Sequence, residues 1–262
     1  MKGKNWRDCA PEPKPKRHRR RRKGGLLKKC KWALLLFVIG YVGFTAYYYT
    51  HKPVIALDAG HGGADSGAEG IMNEVELTER TVAELQTLLE EDGRFTVVLS
   101  REAGEGMTID DRNHRFRRKH PALVLSIHGN ANDNSSAKGF ECYPAPPGYE
   151  NHEVSLAFAQ LIAEEMGQAG AKLRGAGIEG VRYGYYRGGE KILVDSEDTE
   201  IYDLPTFGIL TNMDCPAVLA EQCFITNQAD VEAFGTEEGC KNAAAAYYRA
   251  ICRYWESLEE AA

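Results

Sequence analysis

Between Trp32 and Tyr49 the chain carries no charged residue. As a helix rising 1.5 Å per residue, such a stretch spans about 27 Å, close to the roughly 30 Å hydrocarbon core of a bilayer. The charge on either side is lopsided. Residues 1–31 hold 14 Lys or Arg against Asp8 and Glu12, a net +12, so that residues 32–262 must hold −18 of the overall −6. Pro11, Pro13, Pro15 and the basic run Lys16 to Lys23 offer no apolar surface from which a core could form. The positive-inside rule then predicts a basic cytoplasmic tail (1–31), one transmembrane anchor (32–49) and an extracytoplasmic domain (53–262), with Trp32 and Tyr47 to Tyr49 at the interfaces. The expectation is a single-pass protein of the cell membrane. A cleaved secretory signal is the alternative, yet Thr45-Ala46 is followed by three tyrosines instead of a small-residue cleavage site. The consecutive arginines also suit a twin-arginine export signal, with nothing around them to strengthen it. A nucleic-acid arm would explain the arginines and leave the apolar run unexplained, so no nucleic-acid partner is expected.

Beyond residue 53, short apolar runs alternate with helical periodicity. Val54 to Leu57 reads as a buried strand, and Glu74 to Glu91 repeats apolar groups at Val75, Val82, Leu85 and Leu89, one face of a helix. Further strands are expected at Thr96 to Leu99, Ala122 to Ile127, Phe140 to Tyr143, Phe207 to Leu210 and Ala217 to Ala220. Helices are expected at Thr108 to Lys119, Glu153 to Met166 and Glu237 to Leu258. The alternation predicts an α/β fold, a mostly parallel central sheet of about six strands with helices on both faces. The seven cysteines form no C-x-x-C pair, which argues against a zinc finger, an iron–sulfur cluster or a thioredoxin-type site.

Several polar segments follow or face the expected strand ends, where ligands bind in such sheets. Asp58 to Ala68 is glycine-rich around His61 and matches neither the dinucleotide nor the Walker pattern. Asn73-Glu74-Val75-Glu76 opens a helix; Asn73 and Glu76 suit a capping box, which leaves Glu74 available to face His61. Ser126 to Asn132 puts His128 at the end of an apolar strand, on the same sheet edge as His61. Two histidines and a carboxylate are the ligand set of a catalytic zinc with an open fourth position. The remaining histidines, at 18, 51, 114, 120 and 152, read as solvated surface groups. In Pro216 to Asn227, Glu221 ends an apolar strand, where a buried carboxylate needs either a salt-bridge partner or a task. Beside a zinc-activated water that task would be general-base catalysis.

Taken in order, Leu57 to Gly63, Asn73-Glu74, Ser126 to Asn130 and Pro216 to Asn227 resemble the zinc-dependent N-acetylmuramoyl-L-alanine amidases, the bacterial cell-wall family often called amidase 3. The resemblance runs through residues 53–262. It implies zinc on His61, Glu74 and His128, Glu221 as the catalytic carboxylate, and hydrolysis of the amide joining the lactyl group of N-acetylmuramic acid to the L-alanine of the stem peptide. Peptidoglycan glycan and stem peptide are then the partners. Arg112 also resembles the family, and a structural charge pair is expected there. Some members carry a zinc-blocking helix after the second histidine motif; here Lys138 to Glu150 is only a short proline-rich connection. Arg174 to Pro205, by contrast, exceeds the compact family pattern. With Tyr183, Tyr185, Tyr186 and the acids Asp195, Glu197, Asp198, Glu200 and Asp203, it reads as a solvated surface hairpin, or as a flap that contacts glycan or a regulator. A short anchored member is similar to sporulation and germination amidases, and an activating protein partner fits that likeness. The alternatives are a catalytically idle peptidoglycan-binding scaffold and a zinc peptidase acting within the stem peptide.

Overall fold

The computed structural model describes residues 24–50 and 52–261, and the chain divides into two compact units, 1–51 and 52–262. In the first unit, the described apolar side chains of helix α1 (Gly24–Thr50) are exposed, among them Trp32, Leu34, Leu36, Phe37, Ile39 and Tyr41. Among the described residues no helix is long and apolar enough to cross a membrane. The described side chains of α1 run from Lys28 to Gly43, so the expected anchor at 32–49 lies partly outside them, as does most of the 1–31 tail.

The second unit is built on a five-stranded sheet in the order β2-β1-β3-β7-β4. Its members are β1 (Val54–Ala59), β2 (Thr96–Leu99), β3 (Leu123–Asn130), β4 (Glu141–Pro144) and β7 (Ala217–Phe224). The first four neighbours run parallel, and β4 closes one edge antiparallel to β7. A separate hairpin joins β5 (Arg182–Arg187) to β6 (Glu190–Asp195). The helices are α2 (Glu74–Asp92), α3 (Ile109–Arg117), α4 (His152–Gln168), the short α5 (Gln228–Asp230) and α6 (Glu237–Ala261).

Alternation along the strands sorts the side chains onto two faces. Ile55, Leu57, Leu125, Ile127, Val218 and Ala220 share one core with Leu77, Leu85 and Leu89 of α2, Phe158 and Ile162 of α4, and Tyr247 and Ile251 of α6. Ala56, Val124, Ala217 and Leu219 point the other way, into a smaller core with Phe116 of α3, Tyr143, Phe207, Ile209 and Leu210. Both faces are therefore covered, one by three long helices and one by α3 and irregular chain.

The expected sixth strand does not form. Pro205 stands just before the segment and Gly208 within it; a proline removes a ladder donor and a glycine weakens a strand. Gly208–Leu210 folds as one 3-10 turn, and Phe207 covers the second face, its ring 5.1 Å from Tyr143 and 5.6 Å from Tyr186. The sheet thus has five strands instead of about six. The capping box at α2 is also missing. Asn73 occupies the cap position with no side-chain hydrogen bond, and the Glu76 side chain pairs along the helix with Arg80. Nor is the segment 174–205 a solvated hairpin throughout, since Tyr183 and Tyr185 are buried.

Candidate metal centre

Register carries the polar residues to one place. Asp58 lies opposite Ser126, and His128 opposite Glu221, which in turn lies opposite Glu141. Directly opposed residues share a face, so His128, Glu221 and Glu141 form a row across β3, β7 and β4 on the side away from the three long helices. Past this row the pairing slips. The next β3–β7 match is Asn130 with Phe224, so Gln222 and Cys223 together face the single residue Gly129. This bulge turns Cys223 back into the large core while Glu221 keeps its place in the row.

His61 reaches the same place from the turn after β1, and Glu74 from the first turn of α2. Glu74 Oε1 lies 3.1 Å from His61 Nε2 and 2.9 Å from His128 Nδ1. The two rings meet edge to face, 5.1 Å between centroids. Donor atoms of His61, Glu74 and His128 all fall within 4.8 Å of one another. Glu74 is held from behind, since its Oε2 accepts from the Ala68 amide (2.9 Å) and its Oε1 from the Gly129 amide (3.1 Å). His61 Nδ1 is engaged by Asp65 Oδ2 at 2.9 Å, which leaves Nε2 as the nitrogen facing Glu74. Outer carboxylates of this kind orient metal-binding imidazoles. Hydrogen bonding to Glu74, opposed by burial and helped by Asp65, raises the His61 imidazole to about 9. Although burial alone would raise it, the Glu74 carboxyl stands far below its ordinary value because both histidines engage it.

The turn itself is built for close approach. A Cβ at Gly60 would fall on the His128 ring, and one at Gly67 would lie 2.8 Å from both His61 and Glu74 Oε2. His61 sits at φ 60°, a region that residues other than glycine rarely adopt. Two buried arginines hold it there. Arg112 donates to Asp58 Oδ1 and the Ala59 carbonyl, both at 2.7 Å, and to the His61 carbonyl, while Arg101 donates to the Ala59 and Gly60 carbonyls at 3.0 and 3.1 Å. Ser126 Oγ donates to Asp58 Oδ2 at 2.6 Å. Burial would raise the Asp58 carboxyl, but Arg112 and Ser126 hold it below its usual range. The charge pair expected at Arg112 is therefore present. Removing one partner leaves a buried charge alone, so Arg112→Met is expected to cost about 3–5 kcal/mol. Thermal melting checks this, and an unchanged midpoint would remove Arg112 from the scaffold.

His61, Glu74, His128 and Glu221 line one cleft of about 390 Å³, together with Asn130, Tyr186, Lys191, Phe207 and Ile109. Burial raises the Glu221 carboxyl, against the pull of His128 and Lys191. Its Oε2 is buried without a hydrogen-bond partner, and its Oε1 lies 3.6 Å from Lys191 Nζ. All four residues singled out in the sequence thus converge. Of the other histidines, 114 and 120 are exposed, and 18 and 51 lie outside the described residues. His152 is not solvated: its Nδ1 lies 2.8 Å from the Ala145 carbonyl oxygen and its ring packs on Tyr183 at 5.7 Å.

Some contributors escape sequence reasoning. Asp65, four residues beyond His61, has a local signal in that spacing. Arg101, Glu141 and Lys191 have none, because each reaches the site from a distant element.

Comparisons with known proteins agree with this geometry. The family model described as N-acetylmuramoyl-L-alanine amidase (Amidase_3) matches residues 55–253. A cell wall amidase of Bacillus anthracis is 30% identical over 212 residues, covering 77% of this chain and 35% of that protein. The probable N-acetylmuramoyl-L-alanine amidase AmiB of Haemophilus influenzae is 25% identical over 220 residues, covering 75% and 50%. The chain therefore spans between a third and a half of the length of these two relatives. Among solved structures, the catalytic domain of CwlV from Bacillus (Paenibacillus) polymyxa superposes with a TM-score of 0.63 at 23% identity, over 78% of this chain and 99% of that one. The CwlD amidase of Clostridioides difficile, solved in complex with the GerS lipoprotein, gives 0.57 at 22% identity, over 79% and 100%. These two structural likenesses bear on the fold. With the matched model spanning β1 to the last helix and every chemical side chain gathered in one cleft, the chain belongs to the N-acetylmuramoyl-L-alanine amidase family, Amidase_3.

Proposed function

We propose that this chain hydrolyses the amide between the lactyl group of N-acetylmuramic acid and the L-alanine of the peptidoglycan stem, with zinc held by His61, Glu74 and His128. The observation that carries the reading is the buried, unpartnered Oε2 of Glu221 in the same cleft as that two-histidine, one-carboxylate set. The donors fit the metal: two imidazoles and one carboxylate are a common catalytic set for zinc, and an open position remains. When bound, zinc supplies Lewis acidity toward the amide carbonyl and lowers the pKa of a coordinated water toward roughly 7. Glu221 accepts the proton of the attacking water and returns it to the departing L-alanine nitrogen. Asp65 fixes the orientation of the His61 imidazole, and Arg101 and Arg112 fix the backbone that carries His61.

Digestion of purified peptidoglycan followed by mass spectrometry tests the reaction. Whole stem peptides with free L-alanine amino termini are expected. Cuts inside the stem would favour a zinc peptidase, and no products at all would favour an idle wall-binding scaffold.

The anchor belongs to the same proposal. The exposed apolar side chains of α1 and the one-sided positive charge support a single-pass protein with its N-terminus in the cytoplasm and residues 53–262 at the cell wall. The full chain is expected to stay with membranes after a high-salt wash, since screening weakens electrostatic attachment and leaves an apolar span untouched. Release by salt would defeat the anchor. A protein activator is a further part of the proposal, hinted at by the CwlD amidase solved in complex with the GerS lipoprotein, and a role in sporulation or germination rests on the sequence resemblance alone.

A further inference from the structure

The cleft is lined by three carboxylates, those of Asp58, Glu74 and Glu221, and by one lysine, Lys191, with no arginine in its lining. Lys191 comes from the β5–β6 hairpin, where it lies directly opposite Tyr186, so that both side chains stand on one face of the ribbon and both line the cleft. The hairpin is fixed rather than loose. Arg182 Nε donates to Asp195 at 2.9 Å and its Nη1 to Glu141 at 3.2 Å. The Tyr186 amide donates to the Pro205 carbonyl at 2.8 Å, and Thr206 Oγ1 donates to the Gly184 carbonyl at 2.7 Å. Tyr186 also packs on Phe207.

Held this way, the Lys191 ammonium lies 5.6 and 5.8 Å from the ring centroids of Tyr143 and Phe207. Among the described residues its one charged contact is Glu221 Oε1 at 3.6 Å, beyond hydrogen-bond range. An ammonium has three donors, and among the described residues none meets a protein acceptor at bonding distance. The Lys191 side chain is 38% exposed, so these donors face the opening of the cleft, where an anionic ligand can meet them.

Its position says which one. With Glu221 returning its proton to the departing nitrogen, the 3.6 Å contact sets Lys191 beside the peptide that leaves, within reach of the residue next to the cut amide under this reading. We propose that Lys191 is a substrate-binding residue that takes the free carboxylate of the peptide residue following L-alanine, and thereby selects stems in which that carboxylate is not amidated. This rests on the amidase reading of the cleft.

The test uses the full-length, zinc-loaded protein and two muramoyl dipeptides. They are identical except that the residue after L-alanine carries its α-carboxylate in one and the α-carboxamide in the other. A charge-assisted hydrogen bond at this point is expected to favour the carboxylate by about tenfold or more in kcat/KM, mainly through KM. Lys191→Met is expected to bring the ratio close to one, and Lys191→Arg to restore most of it. Equal use of both dipeptides by the wild type overturns the proposal. So does a Lys191→Met variant with the wild-type ratio but a uniformly lower kcat, which would confine Lys191 to supporting Glu221. Calorimetric binding of the same two dipeptides supplies the ratio independently of turnover. An enzyme that cleaves neither dipeptide would then count against the amidase reading, while the binding ratio still decides the role of Lys191.

Discussion

Glu221→Gln is expected to lower turnover on muramoyl peptide by roughly 10²-fold or more while leaving zinc content, melting temperature and ligand binding close to wild type. A lost general base costs about this much. Glutamine keeps the size of the side chain and cannot accept the proton, and the lost group acts mainly in the transition state. The surroundings favour an intact fold, because Glu221 Oε2 has no partner to lose and Oε1 contributes only the long contact to Lys191. Turnover, zinc stoichiometry and melting measured on one preparation decide the matter. Near-normal turnover would take Glu221 out of the reaction, and loss of zinc with turnover would make it a ligand or a fold-critical acid.

Alanine at His61, Glu74 or His128 is expected to abolish most zinc binding and to lower activity at least as far as Glu221→Gln does. Glu74 separates this from general damage to the fold: if Glu76→Ala lost zinc and Glu74→Ala kept it, the ligand would be the neighbouring carboxylate. The protons supply a second check. With the metal-free His61 imidazole raised to about 9 by Glu74, a protein at pH 7 holds a proton there that zinc must displace. Zinc affinity is therefore expected to climb with pH up to about 9 and to level off above it. Uptake at pH 7 should release about one proton from this site, measurable by calorimetry in buffers of different ionisation enthalpy. The metal-free fold has the opposite dependence. A raised histidine pKa stabilises it fully below the ordinary value of 6.5, and that contribution fades as pH climbs through about 9.

Much of this arrangement is legible from local sequence, and the rest fails for identifiable reasons. The parallel strands show as apolar runs because both faces of the sheet are covered, and the three long helices show through their periodicity. His61, His128 and Glu221 follow from position alone, each at or just past the end of an apolar strand. Glu74 is legible only in part, since the argument that freed it, a capping box using Glu76, describes a bond that does not form. Phe207 to Leu210 misleads because three apolar residues and a glycine shortly after a proline can cover a sheet as readily as extend it. The burial of Tyr183 and Tyr185 depends on long-range docking that composition does not encode. So does the arrival of Lys191 thirty residues before the carboxylate it faces.

Glu141 links that hairpin to the floor of the cleft. Its carboxylate is buried beside Glu221 in the strand row and is matched by Arg174 at 3.1 Å and Arg182 at 3.2 Å, with Asn130 and Tyr143 completing its bonds. Swinging the hairpin outward would draw Arg182 away and weaken the neutralisation of a buried acid, a step that costs several kcal/mol when such a pair is broken outright. The hairpin is therefore a fixed wall and not a gate. Amide hydrogens of the paired residues flanking the exposed turn are then expected to exchange at the slow pace of the sheet itself rather than that of a hinged loop.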